Sequence, residues 1–338
     1  MVLALGALWM GCRRGPEVPD TSHIVLDNRL YRIDTQMRHL MHYGLDSLAQ
    51  WVGDRPTVWQ LLCVEIIGLE GMPSPEDTAF VRSWRELSRD TVFRMLSHKI
   101  DSLYADFGPY FEAIQRALRL YKYYFPRRTV PDIYTTNTNL GVAQFVFRDR
   151  GGRDALGIGL DFYLGESFPY VQLSPVNPLF SRYLSRFFHR GYLVRDALWA
   201  IVDDLVGEPT GQRLLDRMIH EGKKLYIMER LLPDLPDSIL IKYTPEQMAW
   251  CRANRADIWS YFVAEKLLYE VSYQRIRSYV ADAPFSVGMP RKSPSRTGSW
   301  IGWQIVRAYM RRHPEVSLEQ LVQLRDADAL LRESRFKP

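Results

Sequence analysis

Apolar side chains recur at helical spacing through residues 30–125. Leu40, Leu45 and Leu48 (with Gly44 among them) form one such set, and Leu103, Phe107, Phe111, Ile114 and Leu118 form another. The stretch Gly71-Met72-Pro73-Ser74-Pro75 separates an early helical part from the next, because proline and glycine interrupt the helical ladder. After Tyr123-Tyr124-Phe125-Pro126 the period changes. Residues 133–136 and 143–147 are short, β-prone and bounded by turn residues, and residues 156–164 alternate as a strand does. They predict a small sheet of about three strands within 131–165. From about residue 178 helices return. Thr244-Pro245-Glu246-Gln247 places a capping threonine, a first-turn proline and a capping-box glutamine at one helix start. A further helix follows Gly298, with Ile301, Ile305 and Tyr309 on one stripe. The fold class predicted is α+β and predominantly helical: a helical lobe over 29–125, the sheet over 131–165, and a helical region over 178–338.

The candidate chemistry sits on a helix expected over 212–232 and stopped by Pro233. Leu214, Met218, Leu225 and Met228 mark its apolar stripe, and Gly222 leaves room for a close neighbour. Glu221 falls on that stripe, where an unpaired charge is costly, so it must be paired, protonated or coordinating. His220 lies towards the polar face. A zinc helix of the His-Glu-x-x-His type works because two imidazoles one turn apart reach one metal while the glutamate activates water. Here the second histidine position holds Lys224, a cation that repels a dication. His39 and His42 are three apart, with no carboxylate between them to act as a base. The pentapeptide is therefore not a working zinc-protease motif, and no metal or cofactor is expected.

Other catalytic patterns are missing. The chain has no Gly-x-Ser-x-Gly elbow and no Gly-x-x-x-x-Gly-Lys phosphate loop. Asp161, Asp203, Asp204 and Glu265 could pair as carboxylates, but spacing alone does not bring them together. Ser295-Arg296-Thr297-Gly298-Ser299 precedes a helix and could offer N–H groups and Arg296 to an anion. The plainer reading is a helix start with Arg296 paired internally, Glu221 being the candidate partner.

Composition adds a boundary condition. At 46% hydrophobic and 13% aromatic, the 338-residue chain has the means to build a packed core. The net charge of +5 comes from 44 basic and 39 acidic residues with no long basic run, which argues against a nucleic-acid partner. Three cysteines without a Cys-x-x-Cys exclude zinc ribbons and thioredoxin-type sites. The N-terminus is more telling. Residues 2–10 form an uncharged apolar run, about half of the ~20 residues a spanning helix needs. Gly11-Cys12 then closes it as in a bacterial lipoprotein signal. The expected layout is a signal segment over 1–12 with Cys12 lipidated, a tether over 13–28, and one domain over 29–338.

Several stretches, in order, resemble one family. They are Tyr123-Tyr124-Phe125-Pro126, Gly157-Ile-Gly-Leu-Asp-Phe-Tyr-Leu-Gly165, Gly222-Lys223-Lys224-Leu225-Tyr226, Leu231-Leu232-Pro233 and Tyr243-Thr-Pro-Glu-Gln247. Trp250-Cys251, Ile258-Trp259, Ala283-Pro284-Phe285 and Gly298-Ser-Trp-Ile-Gly-Trp-Gln-Ile-Val306 complete the set. The set is similar to the gliding-motility lipoprotein GldB family and spans residues 30–338. That resemblance implies an envelope lipoprotein facing the periplasm: a non-enzymatic structural or assembly component of gliding motility and the associated secretion machinery. Its partners would be envelope proteins of that machinery, and the membrane through its lipid anchor.

A more distant resemblance is to zincin-like peptidases, whose metal histidines lie on the helix before a Glu-Gly helix. The corresponding segment, 195–206, carries Ala197, Trp199, Ala200, Asp203 and Asp204 but no histidine. On that likeness Glu221 is a surviving third ligand in a degenerate site, with His220, Arg296 and Asp204 as its other candidates. The alternatives are a zincin-type metallohydrolase with a different ligand set, or a peptide- or glycan-binding module using the degenerate cleft.

Overall fold

The structure is a computed structural model and describes residues 18–173 and 178–338. Four strands form one mixed sheet in the order β1-β2-β4-β3: β1 (Leu30–Arg32), β2 (Asp132–Thr136), β3 (Gln144–Arg148) and β4 (Asp154–Gly159). β1, β2 and β4 run parallel, and β3 returns antiparallel to β4. Alternation of side chains across the sheet gives each face its own core. Ile133, Leu156 and Ile158 enter the larger core, and Tyr134 and Ala155 enter the smaller one. Both faces are covered, as a largely parallel sheet requires.

The smaller core is built by the N-terminal helices. α1 (Ile33–Tyr43) contributes Ile33, Met37 and Leu40, which meet Trp59, Phe80 and Trp84. α2 (Thr91–Tyr104) bridges the two cores, giving Phe93 to the smaller and Leu96, Ile100 and Tyr104 to the larger. α3 (Gly108–Tyr124) lies wholly on the larger core. The later helices fill out that core: α4 (Leu193–Val206), α5 (Leu214–Leu231), α6 (Tyr273–Val280), α7 (Thr297–Arg312) and α8 (Ala327–Ser334). The expected capping box is formed, Gln247 N–H donating to Thr244 Oγ1 at 3.2 Å and Thr244 N–H to Gln247 Oε1 at 3.0 Å.

α5 and α7 cross at their glycines. A β-carbon on Gly222 would stand 2.4 Å from the Gly302 carbonyl carbon, and one on Gly302 would stand 1.8 Å from the Met218 oxygen. Two backbones touch here, which only glycine allows. This crossing fixes where the next residues of α5 point.

Two expectations are corrected. The sheet has four strands, not about three. The extra one, β1, lies at the start of the segment expected as the helical lobe, outside 131–165, and is recruited by parallel pairing of Leu30 with Ile133. The strand expected over 156–164 stops at Gly159, and Leu160–Phe162 form a 3-10 turn instead. Asp161 explains that stop. Its fully buried carboxylate accepts from Thr138 N at 3.0 Å, Thr138 Oγ1 at 2.9 Å and Leu140 N at 2.6 Å. It thereby holds a turn in which Asn139 and Leu140 both have positive φ. Burial raises the Asp161 carboxyl to about 6 against those bonds, so this acid is a structural clamp. Of the segment expected as a tether, residues 18–28 are described. They run along the surface to Asn28, which is buried and bonded to Pro131 O and Gln115. Cys12 lies outside the described residues, and among these no helix is long and apolar enough to cross a membrane.

Candidate functional site

α4 ends on Gly207, whose φ of 68° and N–H bond to Asp203 O turn the chain back into α5. Arg213 and Asp216 then close the start of α5, Arg213 also reaching Asp328 at 2.8 Å. This hairpin sets Asp203 and Asp204, on the last turn of α4, opposite His220, Glu221 and Lys224 in the middle of α5. Tyr273 and Val280 of α6 supply the third wall, and the cleft so formed has a volume of about 460 Å³.

Lys224 organises the cleft. Its ammonium lies 2.9 Å from Asp203 Oδ1, is bonded to Glu221 one helical turn back, and faces the Trp199 ring at 5.2 Å. The lysine is only 8% exposed and Glu221 15%, whereas Asp203 is 57% exposed. The carboxylate that the pattern placed on a buried stripe is thus partnered at the edge of a polar cleft. Lys224, the cation at the second histidine position, is the more buried member, with its charged end at the cleft. Lys223 turns the other way and donates to Leu324 O. Burial pulls its amine down to about 8, with Arg325 adding to the effect.

His220 is not an incidental surface residue, as the helical pattern suggested. It lines the cleft, and burial, followed by the charges of Lys224 and Lys223, lowers its imidazole to about 4. The ring is therefore neutral across the physiological range. In the unfolded chain the same ring titrates near pH ~6.5. Between that value and 4 the unfolded state binds a proton that the native state does not, so stability falls as pH drops through the window. His220→Gln is expected to flatten the stability–pH curve over this range, by on the order of 2 kcal/mol at pH ~4.5. Urea titrations at half-unit pH steps read this directly, and an unchanged slope would remove His220 as its source.

The remaining predicted residues divide between two places. Asp204 lines the cleft with Glu221 and His220. Arg296 does not. Its guanidinium donates to Ile241 O at 3.1 Å and lies 3.7 Å from Asp282, in a separate recess, so the expected pairing with Glu221 is not made. Glu265 is absent from the cleft lining, and Asp161 is committed to its turn. Arg217, which the pattern did not single out, lies over the Tyr273 ring at 5.0 Å, and its buried Nε has no hydrogen-bond partner. Among the described residues no group of three or more His, Cys, Asp and Glu side chains is arranged to hold a metal ion.

What this arrangement offers chemically is a mixed-charge cleft lined by Glu208 and Glu221, in which Glu221 is already paired with a lysine. The family described as gliding motility protein GldB matches the chain over residues 14–338. No curated protein and no solved structure matches it.

Proposed function

The chain belongs to the gliding motility protein GldB family, and from that premise we propose that it is a non-enzymatic assembly component of the envelope machinery for motility and associated secretion. It is held at the membrane by a lipid on Cys12, faces the periplasm, and works through contacts with other envelope proteins. The observation that carries the non-enzymatic part is the Lys224 ammonium between Glu221 and Asp203. A general base needs a free lone pair aimed at a substrate proton. Glu221 has instead a permanent cationic partner, and burial beside two lysines lowers His220 to about 4, which makes its ring a poor proton acceptor. On this reading Glu221 is the residue left from a zincin-like ligand set, with lysine supplying the positive charge in place of a metal ion.

The test is genetic complementation with full-length protein in cells lacking the gene. His220→Gln/Glu221→Gln is expected to restore motility or cargo secretion to the wild-type level. Cys12→Ser is expected to release the protein from the membrane fraction and lose function. Loss of function in a folded, membrane-retained Glu221→Gln variant would overturn the non-enzymatic reading. So would stoichiometric zinc on the purified protein that disappears with Glu221→Ala.

A further inference from the structure

Towards the start of α4, away from the cleft at its end, cations outnumber carboxylates in a confined space. Arg195 and Asp196 are both buried, and Asp196 serves two partners, Arg195 at 3.0 Å and Lys242 at 2.7 Å. Arg296 has only the rim carboxylate of Asp282, itself 57% exposed and 3.7 Å away. Arg186 has none. Its Nη2 donates to the neutral Gln247 Oε1 at 3.2 Å, its guanidinium lies over the Phe187 ring, and its buried Nε has no hydrogen-bond partner. Four cations here face two carboxylates.

Three of these cations, Arg186, Lys242 and Arg296, line one recess together with Tyr243, Gln247 and Asp282. Its volume is about 20 Å³, above the ~10–15 Å³ that one water-sized group requires and far too small for a drug-sized ligand. The backbone adds an independent sign. Lys242 and Arg296 both sit in the left-handed region, with φ of 56° and 63°. That conformation costs about 1–2 kcal/mol for a residue bearing a β-carbon. Two strained positions, both cationic and both lining one recess, are the kind of local cost that collects at binding sites.

We propose that this recess is a binding site for a single carboxylate group. The chemistry is selective: a forked guanidinium with no carboxylate partner, an ammonium and a second guanidinium suit a small planar anion. The space admits its head and little more. Burial holds the Arg186 guanidinium below its usual basicity, as expected of a cation with no carboxylate beside it. The proposal stands apart from the function assigned to the cleft, because no residue of the recess lines the cleft.

The experiment uses the full chain and two matched probes, N-acetylglutamate N-methylamide and its glutamine counterpart, titrated calorimetrically at constant ionic strength. The glutamate probe is expected to bind and the glutamine probe not to. Arg186→Gln is expected to weaken the glutamate probe at least tenfold, while the exposed Arg127→Gln, with the same change in net charge, leaves it within twofold. Gln247→Glu tests the idea without removing a cation. Glutamate preserves the capping box and places a carboxylate beside Arg186, so the variant should melt at a higher temperature and no longer respond to the probe. Sodium acetate separates the sources. Acetate matching the glutamate probe in affinity assigns the site to a free small carboxylate, and a tenfold advantage for the probe assigns it to an acidic side chain of a protein segment. Equal binding of both probes, or undiminished binding in Arg186→Gln and Gln247→Glu, overturns the proposal.

Discussion

Gly302→Ala should be among the most damaging single-methyl changes this chain can receive, with a loss of at least ~3 kcal/mol in unfolding free energy. Overpacking a core costs about 1–3 kcal/mol when neighbouring side chains can move aside. Here the added carbon would stand 1.8 Å from the Met218 carbonyl oxygen, which is helix backbone and has no rotamer to change. The helices must separate along their whole crossing, and the separation loosens Met218, Ile301, Trp303 and Ile305, all fully buried. Against a total of ~5–15 kcal/mol for a typical domain, that loss removes much of the margin. Gly222→Ala acts on the same contact from the other side, so the double variant should cost less than the sum, the helices already being apart. Gly53→Ala supplies the contrast. Gly53 lies in the helix Leu48–Asp54 with nothing within 4 Å of a new β-carbon, and alanine there should add about 0.5–1 kcal/mol through helix propensity alone. Urea unfolding followed by far-UV circular dichroism ranks all four variants. A Gly302→Ala midpoint equal to wild type would mean the two helices do not cross at these residues.

The same crossing shows what the sequence made legible. A glycine on an otherwise apolar stripe announced a close neighbour, and Gly302 is that neighbour, because backbone contact leaves a mark in residue choice. The Thr244–Gln247 capping box was equally local and equally readable. β1 was not. Its three residues gain strand geometry only from Ile133 and the residues after it, about a hundred positions away, and nothing local distinguishes them from the start of α1. The overlong third strand has a different cause. Leu160, Phe162 and Leu164 are all buried, so apolar alternation continues past the point where Asp161 turns the chain.

At the candidate site the helical period placed Glu221 inward, and the structure makes Lys224 the more buried of the two. A period of 3.6 reports which way a Cβ points, not where four methylenes and an ammonium finish. Lys224 folds back to reach Asp203 on a helix that the pattern of α5 does not describe. Arg296 failed for a similar reason. The recess it lines is assembled by Arg186, Lys242 and Asp282 from separate segments, and only tertiary structure brings them together.

Asp196→Ala is the second large effect expected, and its pH dependence distinguishes lost charge balance from a lost contact. The buried carboxylate bonds Arg195 at 3.0 Å, Lys242 at 2.7 Å and the Tyr163 hydroxyl at 3.2 Å. Burial alone would raise its pKa, but Lys242 and Arg195 outweigh burial and hold it below the usual carboxylate range. Its contribution is therefore fully present at neutral pH and is lost only as pH falls through that lowered value. Removing it leaves buried Arg195 and part-buried Lys242 without their shared counter-charge, at a cost of about 3–5 kcal/mol. Arg195 keeps its two bonds to Leu240 O, at 2.9 and 2.7 Å, but a carbonyl does not cancel a full charge. Lys242 gives the diagnostic. Burial already lowers its pKa, and without Asp196 that pKa falls further. Between its folded value and ~10.4 the unfolded chain holds a proton that the native chain has released, so stability gains with rising pH across that interval. The variant has the wider interval. Its deficit against wild type should therefore shrink as pH rises from 7 to 10, whereas a cavity left by a missing side chain would cost the same at every pH. Asp196→Ala/Lys242→Met should recover part of the loss, because the second change removes one of the stranded charges. A deficit independent of pH, with no recovery in the double variant, would show that Asp196 acts by packing and that the positive surplus around Arg186 and Arg296 is not electrostatically coupled to it.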